Sequence, residues 1–254
     1  MNTLLIARNT FREATRDRVL AGVLAAGLVL LAATQVLSPL ALGEGRRLTV
    51  DLGLSGVSIL GLMVVLLVGT SLVAKELERR TIFNLLSRPI ARSSYLVGKW
   101  IGLSAALWVL AAVVSLALCL VLAAHGAASF APGVAEAAYL AGLELMVVTA
   151  LAVLFSALST PVLSALYTLG FYLVGQWSYD LRSFAAHLPP SAGRLVGVVA
   201  NLAPNLPLFN ARAIAAGGHV TTGYHLGFAT LYALLYAGCV LCLATAAFES
   251  RDFK

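Results

Sequence analysis

Three constellations in the 254 residues carry side chains that could do chemistry. Gly53-Leu54-Ser55-Gly56 places a serine between two glycines, and His225 lies at a depth where a nucleophile and general base could meet. Cys239 and Cys242 form a CxxC, the spacing of a redox pair. Glu144 is an ionisable residue deep inside an apolar run, where a charge costs about 2.5 to 3.5 kcal/mol on insertion scales. Such a carboxylate is expected to face a bundle interior or a subunit contact.

Each has a plainer reading. The GxSG matches that of rhomboid-type intramembrane serine proteases, also six-span proteins, but Ser55 falls in the second span rather than the fourth and the rest of that pattern is missing. Gly53 and Gly56 read as close-packing positions. The cysteines, Cys119 included, lie in apolar runs and lack the electropositive setting that activates a thiol. His125, His187 and His219 are scattered, and no HExxH or paired spacing marks a metal site. Glu136 falls where a carboxylate favours a helix N-terminus, and no function is assigned to it. For Glu144 two readings stand: a substrate or proton site, or a structural hydrogen bond to a hydroxyl such as Thr149 or Tyr167. No residue is assigned a catalytic role. With no GxxxxGK[ST] phosphate loop present, nucleotide chemistry must come from elsewhere.

The elements that hold these residues follow from composition. The chain is 60% hydrophobic and 11% charged, with a mean hydropathy of +0.93, against roughly 25% charged in soluble domains. It is a membrane protein with no room for a sizeable soluble domain. The net charge of +6 gathers beside apolar runs, which reads as topology rather than nucleic-acid binding.

Residues 1–18 are predicted to form an interfacial amphipathic helix, with Leu4, Ala7, Phe11 and Ala14 on one face and Arg8, Arg12 and Arg16 on another. Apolar runs follow near residues 19–42, 52–74, 98–124, 134–158, 161–177 and 224–248. The first is too long for a cleaved leader. Thr160-Pro161 is the only break between the fourth and fifth, so these should form a tight hairpin. Residues 179–223, with Pro189, Pro190, Pro204 and Pro207, read as short helices packed over the outer end. Trp100, Trp108, Trp177 and several tyrosines are expected at span ends as an aromatic belt.

Six spans put both termini on one side. Lys and Arg then number twelve on that side and five on the other, which places both termini in the cytoplasm. Between the second and third spans, residues 75–99 mix basic groups with Leu77, Ile82, Phe83, Leu85 and Leu86. A surface helix ended by Pro89 is predicted, with Arg92 and Lys99 anchoring the return into the bilayer. Topology accounts for its positive charge; a buried partner surface would account for its apolar face.

These features resemble the permease subunits of type-2 ABC transporters, the export class that includes the membrane subunit of nitrous-oxide-reductase maturation transporters. The resemblance covers most of the chain and rests on the Arg-rich N-terminal helix, the six-span layout, and Glu76, Glu78, Thr81, Leu85, Leu86, Pro89, Arg92, Gly98 and Lys99. It rests also on Pro204-Asn205-Leu206-Pro207-Leu208-Phe209-Asn210. Many members carry glycine where this chain has Arg80, before the threonine.

The resemblance implies that residues 75–99 hold a coupling helix seated on a separate ATPase. Its contact residues would be Glu76, Leu77, Glu78, Arg79, Arg80 and Thr81, followed by Phe83, Leu86, Arg88 and Arg92. Two ATPase copies would bind ATP and Mg, and this chain would hold no cofactor itself. A second permease copy, as a homodimer, and a bacterial cytoplasmic (inner) membrane complete the expectation. The expected fold is an all-α membrane protein: one permease domain over residues 1–254, with six transmembrane helices, the N-terminal helix, the coupling helix and an outer helical cap. The alternative is a scaffold in which the ATPase cycle remodels an envelope machine without solute passage.

Overall fold

A computed structural model describes residues 2–41, 43–71, 92–185 and 187–249, and among these the chain is helical with no strand. Ten α-helices follow in order: α1 (Asn2–Arg16), α2 (Arg18–Leu37), α3 (Gly45–Val64), α4 (Arg92–Ala124), α5 (Ala131–Leu158), α6 (Pro161–Gln176), α7 (Ser178–Ala185), α8 (Pro190–Leu202), α9 (Arg212–Ala216) and α10 (Gly223–Glu249). The helix expected before Pro89 lies outside the described residues, as does the tail after Glu249.

The centre of the bundle is α5, which packs against α10, α4, α6 and α3. Its apolar stretch is 89% buried, against 28% for α2 and 33% for α10. The outer faces of α2, α4 and α10 keep Val29, Val36, Leu116, Leu120, Leu231 and Leu235 exposed. In a chain of this composition such faces meet hydrocarbon.

Among the described residues five helices are long and apolar enough to cross a membrane: Arg18–Leu37, Gly45–Gly69, Ser93–Ala124, Ala128–Leu158 and Gly223–Phe248. The expected fifth run differs. It forms the 16-residue α6, which rises only about 24 Å, short of the roughly 30 Å of a hydrocarbon core. The predicted hairpin between α5 and α6 is present. Pro161 opens α6, the Ser164 hydroxyl donates to the Phe155 carbonyl at 2.7 Å, and the Phe155 ring meets Tyr167 and Phe171.

Beyond α6 the chain does not simply cover the bundle. The α7–α8 pair is largely exposed, but residues 203–216 turn back inside: Ala203, Leu206, Phe209, Ala211 and Ala215 are all buried. Irregular backbone is tolerated at such depth only where protein surrounds it. Gly175 makes the space, since a Cβ there would stand 2.8 Å from the Pro204 carbonyl oxygen. This stretch fills the room that the short α6 leaves.

At the other end, α1 lies along the first turns of α4. A Cβ at Gly102 would stand 2.5 Å from the Ala7 carbonyl oxygen, and one at Gly98 3.0 Å from that of Thr3. These absent side chains select which face of α1 is inside. Ala7, Thr10 and Ala14 are buried as Leu4 stands 77% exposed, so the expected apolar face is rotated toward its small residues. Asp17 then ends the helix and caps α2, accepting from the Val19 amide at 2.9 Å.

Lys99 is packed within protein. It is 5% exposed, 3.9 Å from Glu13 and over the Tyr95 ring. Trp108 also departs from the aromatic-belt expectation. It lies mid-way along α4, its ring over Gly142 and tilted against Tyr139.

Candidate functional site

One face of α3 carries two serines that meet polar groups from other helices. Ser55 and Ser58 are three residues apart and so lie one above the other. Below them α3 widens into a π turn over Val65–Gly69, where Thr70 donates its amide to the Val65 carbonyl at 3.2 Å. Such turns interrupt a regular ladder and often mark working sites. Ser156 of α5 braces the turn, its hydroxyl donating to the Thr70 carbonyl at 2.7 Å.

Glu144 occupies the middle of α5 and is 4% exposed. Its Oε2 accepts from the Ser58 hydroxyl at 3.2 Å and its Oε1 from Gln176 Nε2 at 2.5 Å. Gln176, the last residue of α6, also donates to the Tyr172 hydroxyl oxygen at 3.0 Å. A buried carboxylate is tolerable only with such partners. They tie α3, α5 and the tip of α6 together at one level. The partner is a hydroxyl, as one of the two readings of Glu144 expected, but the hydroxyl is Ser58. Thr149 instead donates to the Leu145 carbonyl, the ordinary helical back-bond, and Tyr167 packs on Phe155.

One turn nearer the start of α3, Arg212 comes in from the start of α9. Its Nη1 donates to the Ser55 hydroxyl at 2.8 Å, and its Nε donates to Asn210 Oδ1 at 3.1 Å. The guanidinium and Glu144 attract one another electrostatically, yet no direct ion pair joins them among the described residues. A cation and a carboxylate thus occupy successive rungs of α3.

The same outer segment is fastened elsewhere. The Tyr232 hydroxyl accepts from the Asn205 amide at 2.8 Å, Ser178 donates to Asn205 Oδ1 at 3.2 Å, and Glu136 accepts from the Thr221 amide. Glu136 therefore closes the outer segment onto α5. A Cβ at Gly133 would stand 2.5 Å from the His219 carbonyl oxygen, so the fit there is close.

The structure does not bring Ser55 and His225 together. Ser55 accepts from Arg212, while the His225 ring bonds the Leu208 carbonyl at 2.9 Å. Among the described residues no base faces the serine, so the nucleophilic pair is not formed there. Cys239 and Cys242 are exposed on the outer face of α10, among Leu234, Leu235 and Leu243. Of the residues expected to meet an ATPase, Glu76, Leu77, Glu78, Arg79, Arg80, Thr81, Phe83, Leu86 and Arg88 lie outside the described residues. Arg92 begins α4.

Sequence reasoning singled out Glu144 but missed Ser58, Gln176 and Arg212. Neutral donors on the carboxylate and a nearby cation can hold a negative charge, or a polar group, within an apolar bundle. They also tie α3, α5 and α6 to one another and, through Arg212, α3 to the segment that precedes α10. A family model described as "ABC-2 family transporter protein" matches residues 4–252. No curated protein matches the chain.

Proposed function

The chain belongs to the ABC-2 transporter family, and we propose that it is the transmembrane permease subunit of an ATP-driven exporter. A separate ATPase, in two copies, would bind ATP and Mg and drive substrate movement, with a second copy of this chain completing the membrane part as a homodimer. The observation that carries the reading is a family match over nearly the whole chain, laid on an all-helical bundle whose α3 and α4 flank a basic, apolar segment.

In this reading residues 75–99 hold the coupling helix, and Arg79, Arg80, Arg88 and Arg92 face acidic groups on the ATPase or lipid phosphates. Closure of the two ATPases would push this segment and tilt α3 and α4, biasing the bundle between inward and outward opening. The short α6 counts as the sixth crossing. Its outward course is completed by the buried outer segment, and both termini then lie in the cytoplasm of a bacterial inner membrane. Glu144 belongs to the framework, because donors of the chain itself occupy both its oxygens.

The test is a pull-down from detergent-solubilised membranes with ATPase assay of what co-purifies, with and without residues 77–92 replaced by a neutral linker. A nucleotide-hydrolysing partner that is lost on replacement supports the permease reading and locates the coupling helix. Absence of such a partner with the native segment would sink it.

A further inference from the structure

The face of α1 turned away from α4 combines two kinds of group that seldom share a surface. Arg8, Arg12 and Arg16 follow one another at four-residue spacing and are all exposed, and Leu4 and Leu5, also exposed, lie one turn before Arg8. Like charges four residues apart repel and weaken a helix. The acids nearest in the chain are engaged elsewhere, Glu13 with Lys99 at 3.9 Å and Asp17 at the Val19 amide. Among the described residues no carboxylate pairs with the three guanidinium groups.

The seat of α1 decides what can meet this face. Its opposite side rests on Gly98 and Gly102, inside the apolar stretch Ser93–Ala124, and the apolar stretch of α2 begins at Arg18, just after α1 ends. The helix therefore lies where two membrane-length helices enter hydrocarbon. Leucine is costly to leave in water and arginine is costly in hydrocarbon. The boundary between headgroups and acyl chains suits both, because long basic side chains reach back to the phosphates.

We infer that Arg8, Arg12 and Arg16 form a binding face for an anionic phospholipid, with the guanidinium groups on its phosphate and Leu4 and Leu5 against the first part of its chains. Successive arginines are about 6 Å apart along the helix, so two neighbours can share one phosphate through charge-assisted hydrogen bonds. A zwitterionic lipid carries a phosphate too, but its ammonium group cancels the charge that the column of arginines attracts. The assignment concerns α1 and stands apart from the permease reading.

The experiment uses the full chain in detergent micelles. Cys119, Cys239 and Cys242 are replaced by serine, and an environment-sensitive fluorophore is attached at the exposed position Asn9→Cys, beside the arginines. Dioleoylphosphatidylglycerol and dioleoylphosphatidylcholine are titrated separately. The anionic lipid should half-saturate the signal at a concentration about tenfold or more below that of the zwitterionic one. Arg8→Gln, Arg12→Gln and Arg16→Gln together should weaken the anionic lipid about a hundredfold, roughly fivefold for each arginine. Lysine at the three positions should keep most of the binding, and Arg46→Gln with Arg47→Gln on α3 should leave it unchanged. If the triple glutamine variant is unstable, Arg12→Gln alone should show its fivefold share. Equal half-saturation by the two lipids, or an unchanged response in the glutamine variants, would overturn the site. Displacement of the lipid by equimolar glycerol 3-phosphate would overturn it in favour of a soluble phosphate. Loss of a co-purified ATPase from the glutamine variant, with the lipid response intact, would overturn it in favour of that partner.

Discussion

The two ends of this bundle are held by different kinds of contact. At the inner end α1 rests on α4 through side chains that are absent, at Gly98 and Gly102, so that backbone meets backbone. At the other end residues 203–221 are held both by close fits, at Gly133 and Gly175, and by directed hydrogen bonds that join Arg212 to Ser55, Thr221 to Glu136 and Asn205 to Tyr232. A steric fit of the first kind has a single minimum and is lost all at once. The α1–α4 contact is thus a joint made by missing side chains alone, and the other end adds directed polar pairs to the same kind of fit.

The largest effect should come from breaking the joint. Gly102→Leu forces a side chain into the Ala7 backbone and should cost about 3 kcal/mol, the upper end for overpacking. Thermal unfolding in detergent, with protease sensitivity at the α1–α2 junction, would read it. A variant as stable as wild type, with α1 still protected, would show that the joint is loose.

Next comes the centre of the polar network. Glu144→Ala strands the Ser58 hydroxyl and the Gln176 amide and should cost about 2 kcal/mol. Glu144→Gln retains an acceptor and should cost about half as much. Equal losses in the two variants would mean that charge, rather than hydrogen bonding, is what this position supplies.

Smaller again is Ser164→Ala, which removes one hydroxyl bond from the α5–α6 hairpin and should cost about 1 kcal/mol by the same unfolding measurement. Ser115→Ala should cost nothing or slightly stabilise, because the buried Ser115 hydroxyl has no hydrogen-bond partner among the described residues. A loss comparable to that at Ser164 would reveal an unseen partner for it.

Much of this was legible in the chain because it depends on neighbours in sequence. Apolar runs bounded by charge give the long helices, Pro161 gives the turn into α6, and an ionisable residue amid apolar ones marks Glu144. Family likeness was legible for the same reason, in runs of adjacent residues such as residues 204–210. What escaped depends on distant pairs. Ser58 meets a carboxylate 86 residues on, Gln176 meets the same group across 32, and Arg212 finds Ser55 across 157. Arg212 counted only as an outer positive charge, since nothing beside it in the chain marks its partner.

Pattern along the chain alone makes the protein a helical membrane bundle, marks which stretches form its long helices, and puts a carboxylate at mid-span. Hydrophobic periodicity, proline and charge act locally, and local pattern suffices to read them. Only the tertiary structure decided which face of α1 is inside, that α6 stops short, that the outer segment enters the space left, and which donors hold Glu144. Those outcomes turn on the relative placement of whole helices. Such placement follows from close packing among groups far apart in the chain, which no stretch of sequence records alone.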